Sequence, residues 1–444
     1  MRVNPCDDLP VIGMATIGLA ASTRSCHDRV AFARGKGRSS GMKPLQRRGI
    51  ARAVTAAAVF AVSALLGGCA HQTASPAASA RVSPSNPASR TPPWGDVGPG
   101  WFLVIEDLTT FSAADRTSSP GAEKLWLVDS DGSRYLVLQW AASQVPEGGL
   151  RAWSPDARHA LFVGNDQVTD VDLVNATVTA FSVQHVVTAG YARPSGAGVV
   201  ALSDDPATDP NGRGGVLRRF ALDGDVQAVL ASDVNTLANP LPRWLYSRDG
   251  ASVYLPDEGG LRAVSNTGGQ SHRVDTIEGP TVLCSPVRWW DTHTILVSCD
   301  ESGPRLWLAP DNGGTATALT APAGIDRATS GTDWGSYDAF RTASGQIFVQ
   351  RPSTCGSVDI ATLDARGHAH QLTFPKSLGT NWLIGATGDR IAVRSTTSEG
   401  DCYEHGWFGF YDPTTRTTQQ VIQDPPDELG AVAAIASDVE GRTS

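Results

Sequence analysis

Residues 150–164 read LRAWSPDARHALFVG. A short apolar run closes on Trp153, a polar turn follows in Ser154, Pro155 and Asp156, and a second apolar run begins at Ala160. Short apolar runs on either side of Ser-Pro-Asp turn chemistry predict a β-hairpin.

The arrangement returns along the chain. Tyr191–Gly198 leads into Val199, Arg243–Gly250 into Val253, and Arg288–His293 into Ile295. Ala339–Gly345 leads into Ile347, and Trp382–Asp389 into Ile391. A third run and a Gly/Asn/Asp turn follow in each unit: RRFAL before Asp223, LRAV before Ser265, LWLA before Pro310, GFY before Asp412. A fourth, Thr/Val-rich run closes the unit. A period of roughly 40–50 residues marks a repeat architecture. Trp101–Trp140 supplies only three runs, with LWLV before Asp129 among them. Ala431–Ala436 (AVAAIA) is the candidate for the missing first strand. Pairing the chain's end with its beginning would close a ring and remove exposed sheet edges.

Trp153, Ser154, Pro155 and Asp156, followed by a strand, resemble the repeat of TolB-like and other WD40-like β-propellers. The resemblance covers Trp101–Ser444 and is clearest at Trp153 and at Arg243–Gly250. It implies an all-β fold: a single β-propeller of four-stranded blades, about seven in number with six as the alternative. The C-terminal strand would close it against the N-terminal blade.

Bulk properties agree. The 46 Gly and 28 Pro suit many short strands joined by turns. The net charge is −9, but residues 1–69 hold ten of the 36 Lys+Arg and three of the 45 Asp+Glu. The rest therefore carries 26 against 42, or −16. An acid excess of this size argues against nucleic-acid binding, which needs a basic face.

The first hundred residues read as an address. Met42 opens a basic stretch, Ala53–Leu66 (AVTAAAVFAVSALL) is apolar, and Leu66-Gly67-Gly68-Cys69 follows at once. The apolar run is of signal-peptide length and short for a bilayer span. The order resembles a bacterial lipoprotein signal, which implies lipidation of Cys69 and a membrane-anchored, extracytoplasmic location. Residues 1–41 are expected to be an extension ahead of the natural start, 42–68 a signal peptide, 69–100 a disordered Ala/Ser/Pro tether, and 101–444 the propeller.

The even count of cysteines after Cys69 suggests disulfides in an exported protein. Cys284 and Cys299 would stand on neighbouring antiparallel strands of one blade. Cys355 and Cys402 would stand in corresponding loops of consecutive blades. The expected pairs are Cys284–Cys299 and Cys355–Cys402.

In a propeller the second-to-third-strand loops emerge on one face. Second strands here end in Glu106-Asp107, Asp204-Asp205, Asp257-Glu258 and Asp300-Glu301. Asp166 holds a similar place, and the longest loops bring Trp334, Tyr337, Tyr403 and His405 to the same side. Carboxylates beside aromatics would suit a basic peptide, a protein partner or a divalent cation such as calcium; the plain alternative is an acidic solvated surface. No metal-ligand motif, P-loop or dinucleotide fingerprint occurs. Gly37–Gly41 matches G-x-S-x-G but lacks the strand and helix such an elbow needs. No catalytic residue, metal ligand or other cofactor is therefore assigned. The reading is a monomeric protein- or ligand-binding module at the cell envelope, held to the membrane by lipid. It could serve as a structural part of an envelope complex. The alternative is a metal-dependent propeller hydrolase or lyase with its site in the central funnel.

Overall fold

The computed structural model describes residues 79–81, 91–107, 110–112, 117–119, 121–204, 214–236, 244–277, 282–301, 303–326, 331–333, 335–352, 358–372, 374, 380–399, 403–423 and 432–436. All the described residues fall in one compact unit.

The turns explain why these residues make hairpins. The Ser154 hydroxyl donates to Asp156 Oδ1 at 2.6 Å and accepts from the backbone N–H groups of Arg158 (3.1 Å) and His159 (2.9 Å). The second clear copy repeats the network: Ser247 donates to Asp249 Oδ1 at 2.6 Å and accepts from the Ser252 N–H at 2.9 Å. In the third-to-fourth turns an aspartate does the work. Asp129 Oδ1 accepts from the N–H groups of Asp131 (2.9 Å) and Ser133 (2.8 Å), and Gly132 takes a φ of 92° that a side chain would resist.

These hairpins build a propeller-like ring of small antiparallel sheets. The first sheet runs, in spatial order, Val432–Ala436, Phe102–Asp107, Glu123–Val128, Arg134–Trp140. The second runs Gly149–Trp153, His159–Val163, Gln167–Asp172, Thr177–Ser182, with Ser79–Arg81 added outside. The third is Val186–Tyr191, Gly198–Asp204, Gly214–Ala221, Val226–Asn235. The fourth has eight strands and holds two meanders. One is Leu245–Tyr246, Ser252–Glu258, Gly260–Ser265 and His272–Thr276; the other is Leu283–Trp289, Thr294–Asp300, Pro304–Pro310 and Thr317–Ala318. The two meanders join where Asp257 pairs with Cys284 and Glu258 with Leu283. The fifth sheet is Asp338–Arg341, Ile347–Pro352, Val358–Leu363, Ala369–Gln371, and the sixth is Thr380–Thr387, Arg390–Glu399, Tyr403–Asp412, Thr417–Gln423.

The C-terminal strand pairs antiparallel with the N-terminal one, Phe102 opposite Ala436 through Glu106 opposite Val432. Alternate residues of Phe102–Asp107 face opposite ways, as the pleat demands. Leu103 and Ile105 pack with Trp153 and Phe162 of the second sheet. Phe102 and Val104 pack with Ala392, Phe408 and Phe410 of the sixth. Further cores join the second sheet to the third (Leu161, Tyr191), the third to the fourth (Leu202, Leu255), and the two meanders to each other (Leu261, Val297). The remaining cores join the second meander to the fifth sheet (Leu296, Val349) and the fifth to the sixth (Phe348, Val393).

Within 69–100, read from its composition as a tether, two stretches are described. Ser79–Arg81 is a strand, and the described segment from Thr91 turns back on the body, with Trp94 and Val97 packed against the first core. Burial of these two apolar side chains fixes residues that composition alone assigns to the leash.

Candidate functional site

Second strands end at Asp107, Asp204, Glu258 and Asp300, so four acidic pairs stand at or just beyond equivalent positions. Their carboxylates are not equivalent. Glu106 is buried; its Oε2 accepts from Trp126 Nε1 at 2.8 Å and lies 3.6 Å from Lys124 Nζ, so it serves the first sheet. Glu301 pairs with Arg305 at 3.5 Å. Asp166, in a left-handed conformation (φ 57°), accepts from the His185 N–H and so ties the second sheet to the link that leads into the third.

Asp257, Glu258 and Asp300 form a different group. The junction of the meanders sets Asp257 beside Cys284, Cys284 beside Cys299, and Cys299 beside Arg305 in one lateral row. Cys284 and Cys299 are joined, with S–S 2.12 Å and Cα–Cα 4.0 Å, as the hairpin register requires. At about 4.8 Å per strand, Asp257 and Asp300 lie on one continuous stretch of sheet with the disulfide between them. Glu258 and Asp300 are exposed, and among the described residues none of these three carboxylates has an ion-pair partner. Partial desolvation holds the Asp300 carboxyl above the ordinary range.

Asp204 is half-buried, and its Oδ1 has no hydrogen-bond partner among the described residues. Tyr337 is half-buried and its N–H donates to the Gln350 carbonyl at 3.0 Å. Asp107, Tyr403 and His405 lie in strands, but their side chains fall outside the described residues. Asp205, Trp334, Cys69, Cys355 and Cys402 also lie outside them. Among the described residues no three His, Cys, Asp or Glu side chains converge as a metal site. A groove lined by Val229, Asp233, Arg262 and Gly269 lies between the outer strand of the third sheet and the first meander.

The sequence reading missed a buried polar network. Asp170, 5% exposed, accepts from the Tyr191 hydroxyl at 2.6 Å and contacts His159 Nδ1 at 3.1 Å. It joins the second sheet to the first strand of the third. The aromatic that ends four of the first strands before their turns (Trp153, Tyr191, Tyr246, Trp289) was the available signal; what it lacked was the partner, 21 residues away for Tyr191. Burial, then Asp170, pushes the Tyr191 hydroxyl well above its usual range, so it stays a donor. The hydrogen bond to Asp170 raises His159 above its ordinary value of about 6.5. The stabilisation is therefore fully present below pH 6.5 and fades as pH rises through the higher folded value. Urea unfolding is expected to show lower stability near pH 8 than near pH 6, and His159→Gln should flatten that difference. An unchanged slope in the variant would remove His159 as the cause.

With this geometry the chain belongs by fold among propeller-like all-β proteins. No family model matches the sequence, and no characterised protein matches it by sequence. Among solved structures it is similar to dihydro-heme d1 dehydrogenase NirN in complex with DHE (TM-score 0.46, 12% identity, 82% of this chain and 80% of that one). It is similar to TolB from Acinetobacter baumannii (TM-score 0.37, 14% identity, 76% and 66%). It is also similar to the β-propeller domain of Cps50 (Swd1) from Myceliophteria thermophila (TM-score 0.42, 12% identity, 69% and 96%). At these identities no activity or ligand transfers from them.

Proposed function

We propose that this chain is an exported, lipid-anchored propeller of seven four-stranded blades that binds an envelope protein or peptide through the face where its second strands end. The blade count rests on dividing the eight-stranded sheet into its two meanders. The division agrees with cores that link each four-stranded set to the next and the sixth sheet back to the first. Anchoring rests on the order of basic, apolar, small residues and Cys69.

The observation that carries the binding role is the contrast among the carboxylates. Glu106, Asp166 and Glu301 are satisfied within the molecule, whereas Asp257, Glu258 and Asp300, at the junction of the two meanders, make no carboxylate ion pair among the described residues, Arg273 being engaged on the Glu258 carbonyl instead. A Lys/Arg-bearing segment complements such a cluster, and its attraction falls off over a Debye length of about 8 Å at physiological salt.

The test compares wild type with Asp257→Asn/Glu258→Gln/Asp300→Asn and with Cys69→Ala. Wild type should fractionate with membranes and retain its partner proteins less well as NaCl is raised; the triple variant should recover several-fold less of them. Cys69→Ala should leave the membrane fraction. Equal recovery by wild type and triple variant would remove the acidic face from the account.

A further inference from the structure

We propose that Ser79–Arg81 is a clasp that fastens the tether to the outer edge of the second sheet. The proposal rests on the reading of Cys69 as the lipid anchor. The observation is the pairing itself: Ser79 opposite Thr179, Ala80 opposite Val178 and Arg81 opposite Thr177. The partner strand Thr177–Ser182 (TVTAFS) is rich in β-formers and is the last of its meander. Uncovered, it would present a row of free N–H and C=O groups, the usual hazard of an edge.

The tether's composition agrees with a strand at this point. Pro76, Pro84, Pro87, Pro92, Pro93 and Pro99 punctuate the segment, and proline cannot donate to a ladder. Ala77–Ser83, with seven residues, is the longest proline-free run between Cys69 and Gly100, and the strand falls inside it. The path is also consistent. Thr177 follows the turn after Asp172, at the end of the sheet opposite the second-to-third loop, and Phe102 enters the first sheet at the corresponding end. A chain leaving Arg81 beside Thr177 is therefore on the side from which it must enter Phe102.

The clasp changes what the anchor does. Nine residues separate Cys69 from Ser79, and 24 separate it from Trp94, where the chain packs on the first core. At about 3.5 Å per residue the first span reaches roughly 35 Å and the second roughly 90 Å. The clasp turns a long leash into a short one and commits one side of the propeller to the membrane.

Hydrogen exchange of the full-length lipidated protein in detergent tests this against Ala80→Pro/Arg81→Pro. Adjacent residues of an antiparallel strand point their N–H groups to opposite sides, so one of the two prolines must remove a ladder donor whatever the register. Among Thr177–Thr179, the amides that face the clasp should exchange at least about tenfold faster in the variant, with those facing Gln167–Asp172 and those of Val226–Asn235 in the third sheet unchanged. Palmitate labelling of wild type and Cys69→Ala is run alongside. Labelling of wild type with no exchange difference overturns the clasp. An exchange difference without labelling overturns the anchor, and with it the shortened leash.

Discussion

Arg288→Ala is expected to lower the unfolding free energy by roughly 3 kcal/mol, the low end for removing one partner of a buried ion pair, because the Arg288 side chain is itself 29% exposed. Arg288 lies on the first strand of the second meander and reaches Asp338, on the first strand of the fifth sheet. Its Nη2 contacts Asp338 Oδ2 at 2.6 Å and Oδ1 at 2.8 Å, and its Nε contacts Oδ1 at 3.0 Å. The guanidinium also stacks 3.6 Å from the centre of Phe340. The Asp338 side chain is only 8% exposed, so without Arg288 its charge is stranded in a poor solvent. Urea titration followed by tryptophan fluorescence measures the change. Arg288→Met/Asp338→Leu should recover much of the loss, because no buried charge remains. A single variant within about 0.5 kcal/mol of wild type would show that the pair is surface-like and screened.

Removing residues 432–444 should cost on the order of 5 kcal/mol, summing five residues of ladder hydrogen bonds and the burial of Ile435. That is comparable to the whole stability of a small domain. The loss falls on Phe102–Asp107, whose apolar side chains are buried on both faces and whose edge would lie open to other chains. The truncated protein should therefore be recovered as aggregate or with a strongly lowered thermal midpoint, whereas Ile435→Ala alone should remain folded. A truncated chain with an unchanged midpoint would mean that the terminal strand is dispensable and the ring is held by its cores alone.

The hairpins were legible because their causes are local. Ser154 with Asp156, Ser247 with Asp249, and Asp129 with Gly132 satisfy backbone groups within a few residues, so the turn can be read from the residues that make it. The Cys284–Cys299 pair followed once the hairpin register was known. The acidic strand ends were legible as positions, but not as chemistry. Which carboxylate is satisfied depends on Trp126 for Glu106, on Arg305 for Glu301 and on the His185 backbone for Asp166. Contacts between sheets were not legible. Arg288 meets Asp338 across 50 residues, and Tyr191 meets Asp170 across 21, because the twist of neighbouring sheets sets the meeting point. Ser79–Arg81 escaped for a related reason: its composition is that of a linker, and only an available edge makes it a strand.

The central claim is that binding occurs at the face where the second strands end. A photo-cross-linking amino acid placed at Glu258, on that face, and at Asp156, in the first-to-second-strand turn on the opposite one, tests it in intact cells. Both positions are exposed and neither lies in a buried core. A discrete cross-linked partner is expected from Glu258 and none from Asp156. The same partner captured equally from both positions, or from Asp156 alone, would contradict it.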